Sequence, residues 1–448
     1  MMMNIKNLLI LLVGTVLTGC SDFLDEKSDK KLAVPTTIQD LEALLGYTSD
    51  MNLSYCAIIG EVASDNLFLS DDTWLALNRD EDRAMYVWQF LPTLGTYWAG
   101  SYNRVLNANV VLENVDDITD MPELKRNQVK GMALFYRALS FFDLLQIFSR
   151  SFDSETAANV PGIVLRLSGD IDEELYRNDQ QECMFQIEKD LLAAEKLLEG
   201  WMPNYPTQPS IASVYALLSK YYLMTKDYDK SLHFASRCLE IRSDLLNYNT
   251  IPEGKYPFER YNAEVLFYAQ SSGQTMVQES RARVAPELYE MYSASDKRKE
   301  LFFTINADGY QMFTGDYGKG SSSQKFCGLT TAEVWLTSAE CNIRLNKIEE
   351  AIEDMHHFIQ HRYIVTDHRL ETMEKEEFLH FVLDERRKEL IFRGVRWFDL
   401  KRLTSEELRV DRLVRKIGGN EITISIEQLK EFRFALPQSV IDATGIEQ

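Results

Sequence analysis

The stretch that decides the fold runs from Thr331 to Leu403. It opens with TAEVWLTSAECNIRLNKIEEAIEDMHHFIQHRY (Thr331–Tyr363) and closes with DERRKELIFRGVRWFDLKRL (Asp384–Leu403). In the opening half Ala332, Leu336, Ala339 and Ile343 recur at i, i+4, i+7 and i+11, which gathers apolar side chains on one helical face. After Asn346-Lys347-Ile348-Glu349 the stripe returns as Ala351, Met355, Phe358 and Ile359. So short a link makes two amphipathic helices fold back on each other. The closing half sets Glu385, Glu389 and Asp399 among Arg386, Arg387, Arg393, Arg396 and Arg402, with Trp397 and Phe398 between them. Catalytic carboxylates need perturbed acidities in a cleft. Here each acid has an arginine beside it or three to four residues away, the spacing of ion pairs within one helix. Arginine planes can also stack on Trp397 or Phe398. A structural ion-pair network is expected, not an active site.

The helical hairpin occurs twice. Ile211–Arg242 repeats it at an offset of 120 residues, with Ala212, Tyr215, Ala216 and Leu223 on the first helix and Leu232, Ala235 and Leu239 on the second. Tyr228 falls where Ile348 does, Ser231 where Ala351 does, and Leu239 where Ile359 does. Helical periodicity also marks Trp98–Leu112, Leu124–Phe148 and Arg177–Leu198. Hairpins repeating in register are the pattern of tetratricopeptide (TPR) arrays.

The 448 residues are 45% hydrophobic and 11% aromatic, ample for a large core. A net charge of −21 argues against nucleic acid as a partner, because phosphates would be repelled. At the start, Lys6 precedes the apolar run Leu8–Leu17, which is too short to span a bilayer, and Leu17-Thr18-Gly19-Cys20 follows. This is a lipobox, with lipidation expected at Cys20 and firm anchoring by several acyl chains. The remaining five cysteines, Cys56, Cys183, Cys238, Cys327 and Cys341, are odd in number and irregularly spaced, so buried thiols are expected.

Thr36 and Thr37 precede the apolar run Ile38–Leu45, with acids in its first turns, and read as a helix cap. Glu61–Arg83 has no sustained period and reads as an exposed loop carrying Trp74. Ile251–Gly328 loses the helical texture, with a short strand at Glu264–Tyr268 and a Gly- and aromatic-rich stretch over Ile305–Gly320. Glu353, His357 and His361 share a helical face, but without an HExxH pattern they read as a solvated surface, and no metal is assigned. No nucleophile elbow, dinucleotide fingerprint or phosphate loop occurs. Exposed aromatics beside Asp and Asn suit the flat C–H faces and hydroxyl rims of sugars. The candidate ligand set is therefore Asn66, Asp71, Asp72, Trp74, Tyr310, Phe313 and Tyr317. A peptide could use the same surface.

In order along the chain stand the lipobox, Trp98, Tyr102, Ala108-Asn109, Arg137-Ala138, Asp190–Ala194, Glu264–Phe267, Asp296–Arg298, Glu333–Arg344, Glu385–Arg402 and Leu436-Pro437-Gln438. This succession resembles the SusD/RagB family of outer-membrane nutrient-binding lipoproteins of Bacteroidetes. Thr331 departs from the arginine usual there, and Arg393 from a common acid. The resemblance implies a mainly α fold, a TPR-like helical-hairpin scaffold with an irregular, loop-rich ligand-binding half and short strands. It implies a signal peptide over 1–19, a lipidated tether over 20–35 and one SusD-like domain over 36–448. Scaffold is expected at about 98–148, 177–242 and 331–403, and ligand-facing parts at about 50–97 and 250–330. The implied role is non-enzymatic: capture of a glycan at the cell surface and delivery to a TonB-dependent SusC-like transporter. Peptide as ligand, or a surface glycan-active enzyme, are the alternatives. No cofactor is implied, and the sequence leaves a structural calcium open.

Overall fold

The computed structural model describes residues 35–89, 91–92, 94–170, 172–320, 323–366 and 369–448. The expected signal peptide, Cys20 and nearly all of the tether lie outside the described residues. The chain is mainly helical. Its scaffold helices are α1 (Gly95–Asn114), α2 (Glu123–Phe148), α3 (Gln180–Leu197), α4 (Ile211–Met224), α5 (Tyr228–Ile241), α6 (Thr331–Arg344), α7 (Ile348–Ile359), α8 (Lys375–Glu389) and α9 (Val395–Arg402). They pack in sequence, α1 on α2, α2 on α3, α4 on α5, α5 on α6, and α6 on both α7 and α8. Helices α5 and α6 are neighbours although residues 242–330 intervene. The hairpin array continues across that insertion as if it were a long loop.

The 120-residue repeat holds to the residue. Helices α4 and α6 begin at Ile211 and Thr331, and α5 and α7 at Tyr228 and Ile348. Both hairpin turns use one residue in the left-handed region, Lys226 and Asn346, each at φ 61°. Such a residue reverses the chain just past a helix end. Asp227 then caps α5 by accepting from the Lys230 N–H at 3.1 Å.

Long α2 is apolar enough to cross a membrane by length and composition, yet it is mostly buried in the molecule. Gly131 lets α3 approach it, since a Cβ there would lie 2.6 Å from Leu198 Cγ. Trp98 stacks on Tyr102 at 4.6 Å between ring centroids and meets the edge of Phe148. Arg137 binds Asp190 with two bonds (2.7 and 2.8 Å) and donates a third to Asn109 Oδ1. These residues hold α1, α2 and α3 together, as their helical spacing predicts.

Among the described residues the irregular half carries four two-stranded antiparallel ladders: Leu67–Phe68 with Arg283–Val284, Val265–Phe267 with Leu329–Thr330, Phe303–Ile305 with Gln311–Phe313, and Arg412–Ile417 with Asn420–Ser425. The first ladder ties the two expected ligand-facing stretches to each other. The last closes through Gly418 and Gly419, both at positive φ, as tight hairpins require.

One expectation fails. Glu61–Arg83 is not an open loop, because it contains the end of the helix Ala57–Ala63, a strand, and the helices Asp71–Leu75 and Asp80–Tyr86. Ser70 caps the former by accepting from the Thr73 N–H, and Asp80, Glu81 and Asp82 favour the N-terminus of the latter. Helices this short leave no sustained period to read. At the chain start the anticipated cap is present: Thr37 accepts from the Asp40 N–H while the Asp40 carboxylate accepts from the Thr37 N–H.

Candidate functional site

The charge-dense segment Asp384–Leu403 is where a catalytic centre would most naturally be sought. Glu389 accepts from Arg362 Nε and Nη2 at 2.9 Å and from Arg298 at 3.2 Å. Glu385 accepts from the Tyr363 hydroxyl at 2.6 Å and is paired with Arg298 and Lys388. Arg386 reaches Glu333 and Asp399, and Arg402 reaches Glu340 and Asp399. Arg298, Arg362, Arg386, Glu340 and Glu389 are all fully buried.

Burial alone would raise the Glu340 carboxyl, but Arg402 and Arg344 outweigh it and hold it at about 2. For Glu385 burial is likewise overcome by Arg298 and Lys388, again to about 2. These carboxylates are locked as anions by charge-assisted hydrogen bonds and have no proton to trade. The network is structural, as expected, but its reach differs from the expectation. Most of its bonds join different elements; Lys388–Glu385, Arg402–Asp399 and Arg344–Glu340 are the pairs within a helix. It fastens α6, α8, α9 and the insertion to one another.

The candidate ligand residues separate into two groups. Asn66, Phe313 and Tyr317 belong to the interior. Asn66 is 1% exposed, donates to Glu61 Oε1 and accepts from Arg387 Nε. Phe313 stacks on Phe392 at 4.9 Å. Tyr317 donates to Glu264 at 2.6 Å, lies 2.9 Å from the Tyr248 hydroxyl and receives Arg393 over its face. Glycine-rich surroundings suggested exposure, yet an aromatic in such a segment fills whatever hydrophobic hollow the fold offers.

The other four stay near the surface. Asp71 and Asp72 are exposed on the first turn of their short helix. Trp74 is half-buried against the core, with its indole N–H lacking an acceptor among the described residues. Tyr310 is 45% exposed, on a turn closed by Asn306 accepting from its N–H at 2.8 Å, and its ring meets Phe68 edge-on at 5.5 Å.

Phe68 leads to the site itself. It lies on the wall of a groove of about 670 Å³ between the strand Leu67–Phe68, the helix Pro286–Glu290 and the hairpin strand Arg412–Ile417. The helix carrying Trp74 packs on that same hairpin strand. The wall is mixed: Phe68, Met291, Leu408, Val410 and Val414 offer partly exposed apolar surface, and Asp384, Arg409 and Arg412 offer charge. Asp65 at its base accepts two bonds from Arg396 (2.7 and 2.8 Å) and pairs with Arg387, which outweighs its burial and holds its carboxyl far below the usual range. Burial pushes Asp384 upward, with Arg409 at 3.8 Å opposing. Such a surface can cradle a chain of rings or side chains and hydrogen-bond its polar edge. Sequence reading missed Phe68, Arg409 and Arg412; Gly418-Gly419 between two alternating runs was the available signal for the hairpin that carries Arg412.

The Glu353, His357 and His361 face holds no grouping of three or more metal-binding side chains, and none occurs among the described residues. His357 packs on Trp335 at 4.4 Å, and burial pushes its imidazole below the usual range.

Two family models match the chain: SusD-like_3, described as starch-binding associating with outer membrane, over residues 22–223, and SusD_RagB, the SusD family, over residues 259–430. No curated protein matches it. Among solved structures, a SusD superfamily protein of Bacteroides thetaiotaomicron superposes with a TM-score of 0.74 at 19% identity, over 92% of this chain and 99% of that one. A SusD superfamily protein of Bacteroides fragilis gives 0.72 at 15% identity, over 93% and 100%. A SusD-like carbohydrate binding protein of Bacteroides vulgatus gives 0.67 at 15% identity, over 92% and 97%. At these identities the likeness speaks for the fold, and the family models carry the membership: the chain belongs to the SusD/RagB family.

Proposed function

We propose that this protein is a non-enzymatic surface lipoprotein that captures a glycan and hands it to a TonB-dependent, SusC-like transporter in the outer membrane. Family membership supports the role, and the carbohydrate binding named for the Bacteroides vulgatus neighbour supports the ligand class. The lipobox at Cys20 supports the anchor, with the helical scaffold held at the transporter and the irregular half facing the nutrient.

One observation carries the assignment of the site: an exposed tyrosine, Tyr310, stands edge-on to Phe68, which lines a groove together with Asp384, Arg409 and Arg412. A tyrosine face gives a sugar ring an apolar platform while its hydroxyl keeps a polar handle. At the base of the groove Asp65, held as an anion by Arg387 and Arg396 despite its burial, is unsuited to the proton exchange that hydrolysis asks of a carboxyl. The aliphatic stretch Leu408, Val410 and Val414 favours a second reading, an extended peptide in the same groove.

The test is calorimetry of the purified full chain against panels of neutral and acidic oligosaccharides and of oligopeptides. A glycan hit lost in Tyr310→Ala supports the first reading, and a peptide hit lost in Val414→Asp supports the second. New reducing ends on incubation with polysaccharide would sink the non-enzymatic role.

A further inference from the structure

A second cavity, of about 510 Å³, opens where the C-terminal ends of α2, α4, α9 and the helix Ile426–Glu431 converge, and it shares no lining residue with the groove. On its wall is Lys401, only 4% exposed. Its ammonium donates to the carbonyls of Gln146 (2.8 Å) and Ser149 (2.6 Å). Those carbonyls end α2, where the helix dipole favours a cation. They account for two of its three N–H groups. The third has no acceptor among the described residues. Burial is the one influence on its acidity and pushes the ammonium down to about 7, as no carboxylate stands near enough to oppose it.

Two further donors on the same wall are buried without an acceptor, Arg150 Nε and Ser151 Oγ. Lys226 and Lys430 also line the cavity, and neither forms an ion pair among the described residues. The acids of the wall are engaged or outward: Glu431 pairs with Arg150 at 2.7 Å, and Asp153 and Glu155 are exposed. Helix-end carbonyls explain a lysine at 401. They do not explain a ring of unfilled donors in a chain of net charge −21.

We infer that this cavity binds an oxyanion, a carboxylate, sulfate or phosphate group, brought by an acidic sugar or as the free inorganic ion. Clustered donors without acceptors are costly in an empty interior and become charge-assisted hydrogen bonds when an oxyanion enters. The site stands whether or not the groove binds glycan.

Calorimetric titration of the purified full chain with galacturonate, inorganic phosphate and galactose tests it. Galacturonate or phosphate is expected to bind, with affinity falling as salt is added, and galactose is not. Galacturonate alone would identify the source as an acidic sugar, and phosphate alone as the free ion; both outcomes uphold the site. Lys401→Met should abolish anion binding. The double variant Lys226→Asn, Lys430→Gln should weaken it at least about threefold while leaving the fold intact, because asparagine tolerates the left-handed backbone at 226. Should Lys401→Met fail to fold, the double variant decides alone. Galactose binding as well as galacturonate, anion binding untouched by the double variant, or no heat with either anion at about 10 mM, each overturns the inference.

Discussion

Two charge-rich regions of this molecule lead opposite lives. The helices α8 and α9 carry Glu385, Arg386, Glu389, Asp399 and Arg402 into the interior, all nearly or fully buried. The run from Asp71 to Asp80 carries its acids outward beside the groove. What differs is the company: every buried acid of the first region meets an arginine from another element, whereas Asp71 and Asp72 have no ion-pair partner among the described residues. Burying a charge is tolerable only when its counter-charge is buried with it and the hydrogen bonds are filled. The interior charges therefore act as rivets between elements, and the outer ones remain free to meet a ligand.

The largest effect should come from removing one rivet. Glu389→Ala takes a shared carboxylate from Arg298 and Arg362, leaving them Asp296 and Glu385, and Glu264, respectively, and should cost about 3–5 kcal/mol by urea denaturation. A loss under about 1 kcal/mol would mean that this region is solvated, and the contrast would collapse.

Acid should attack the same region next. Glu340 titrates near 2 in the folded protein against an ordinary value of 4.5, so its contribution is fully present above pH 4.5 and fades as pH falls toward 2. It amounts to about 3 kcal/mol. Stability measured across that window should fall steeply. A flat profile would contradict the pairing with Arg402.

Tyr317→Phe sharpens the comparison at smaller scale. It removes the hydroxyl that serves Glu264 and Tyr248, and should lower stability by about 1–2 kcal/mol while leaving ligand binding alone. Tyr310→Ala should do the reverse, changing stability by less than about 0.5 kcal/mol and weakening the groove ligand about tenfold. If both tyrosines behaved alike, the division into rivets and rim would be wrong.

The resemblance of the whole chain to one family was legible because it rests on order along the sequence, from Trp98 through Arg137 and Asp190 to Arg402. Those residues do the same mechanical work at every step, joining helix to helix. Within the candidate ligand set the sequence did not separate surface from interior. Asn66, Phe313 and Tyr317 resemble Asp71, Trp74 and Tyr310 in type and neighbourhood, yet the first three are consumed by Arg387, Phe392 and Glu264, partners distant in sequence.

What the amino-acid sequence determined by itself is what depends on near neighbours. Helical stripes, the Thr37 cap and the hairpin repeat down to its first residues follow from spacing within a few turns of chain. Tertiary structure alone decided which charges were interior, that α5 would adjoin α6 across residues 242–330, and that Phe68 and Arg412 would face one groove. Burial and counter-charge are properties of a site in space, and the partners that settle them come from elements that periodicity cannot place against one another.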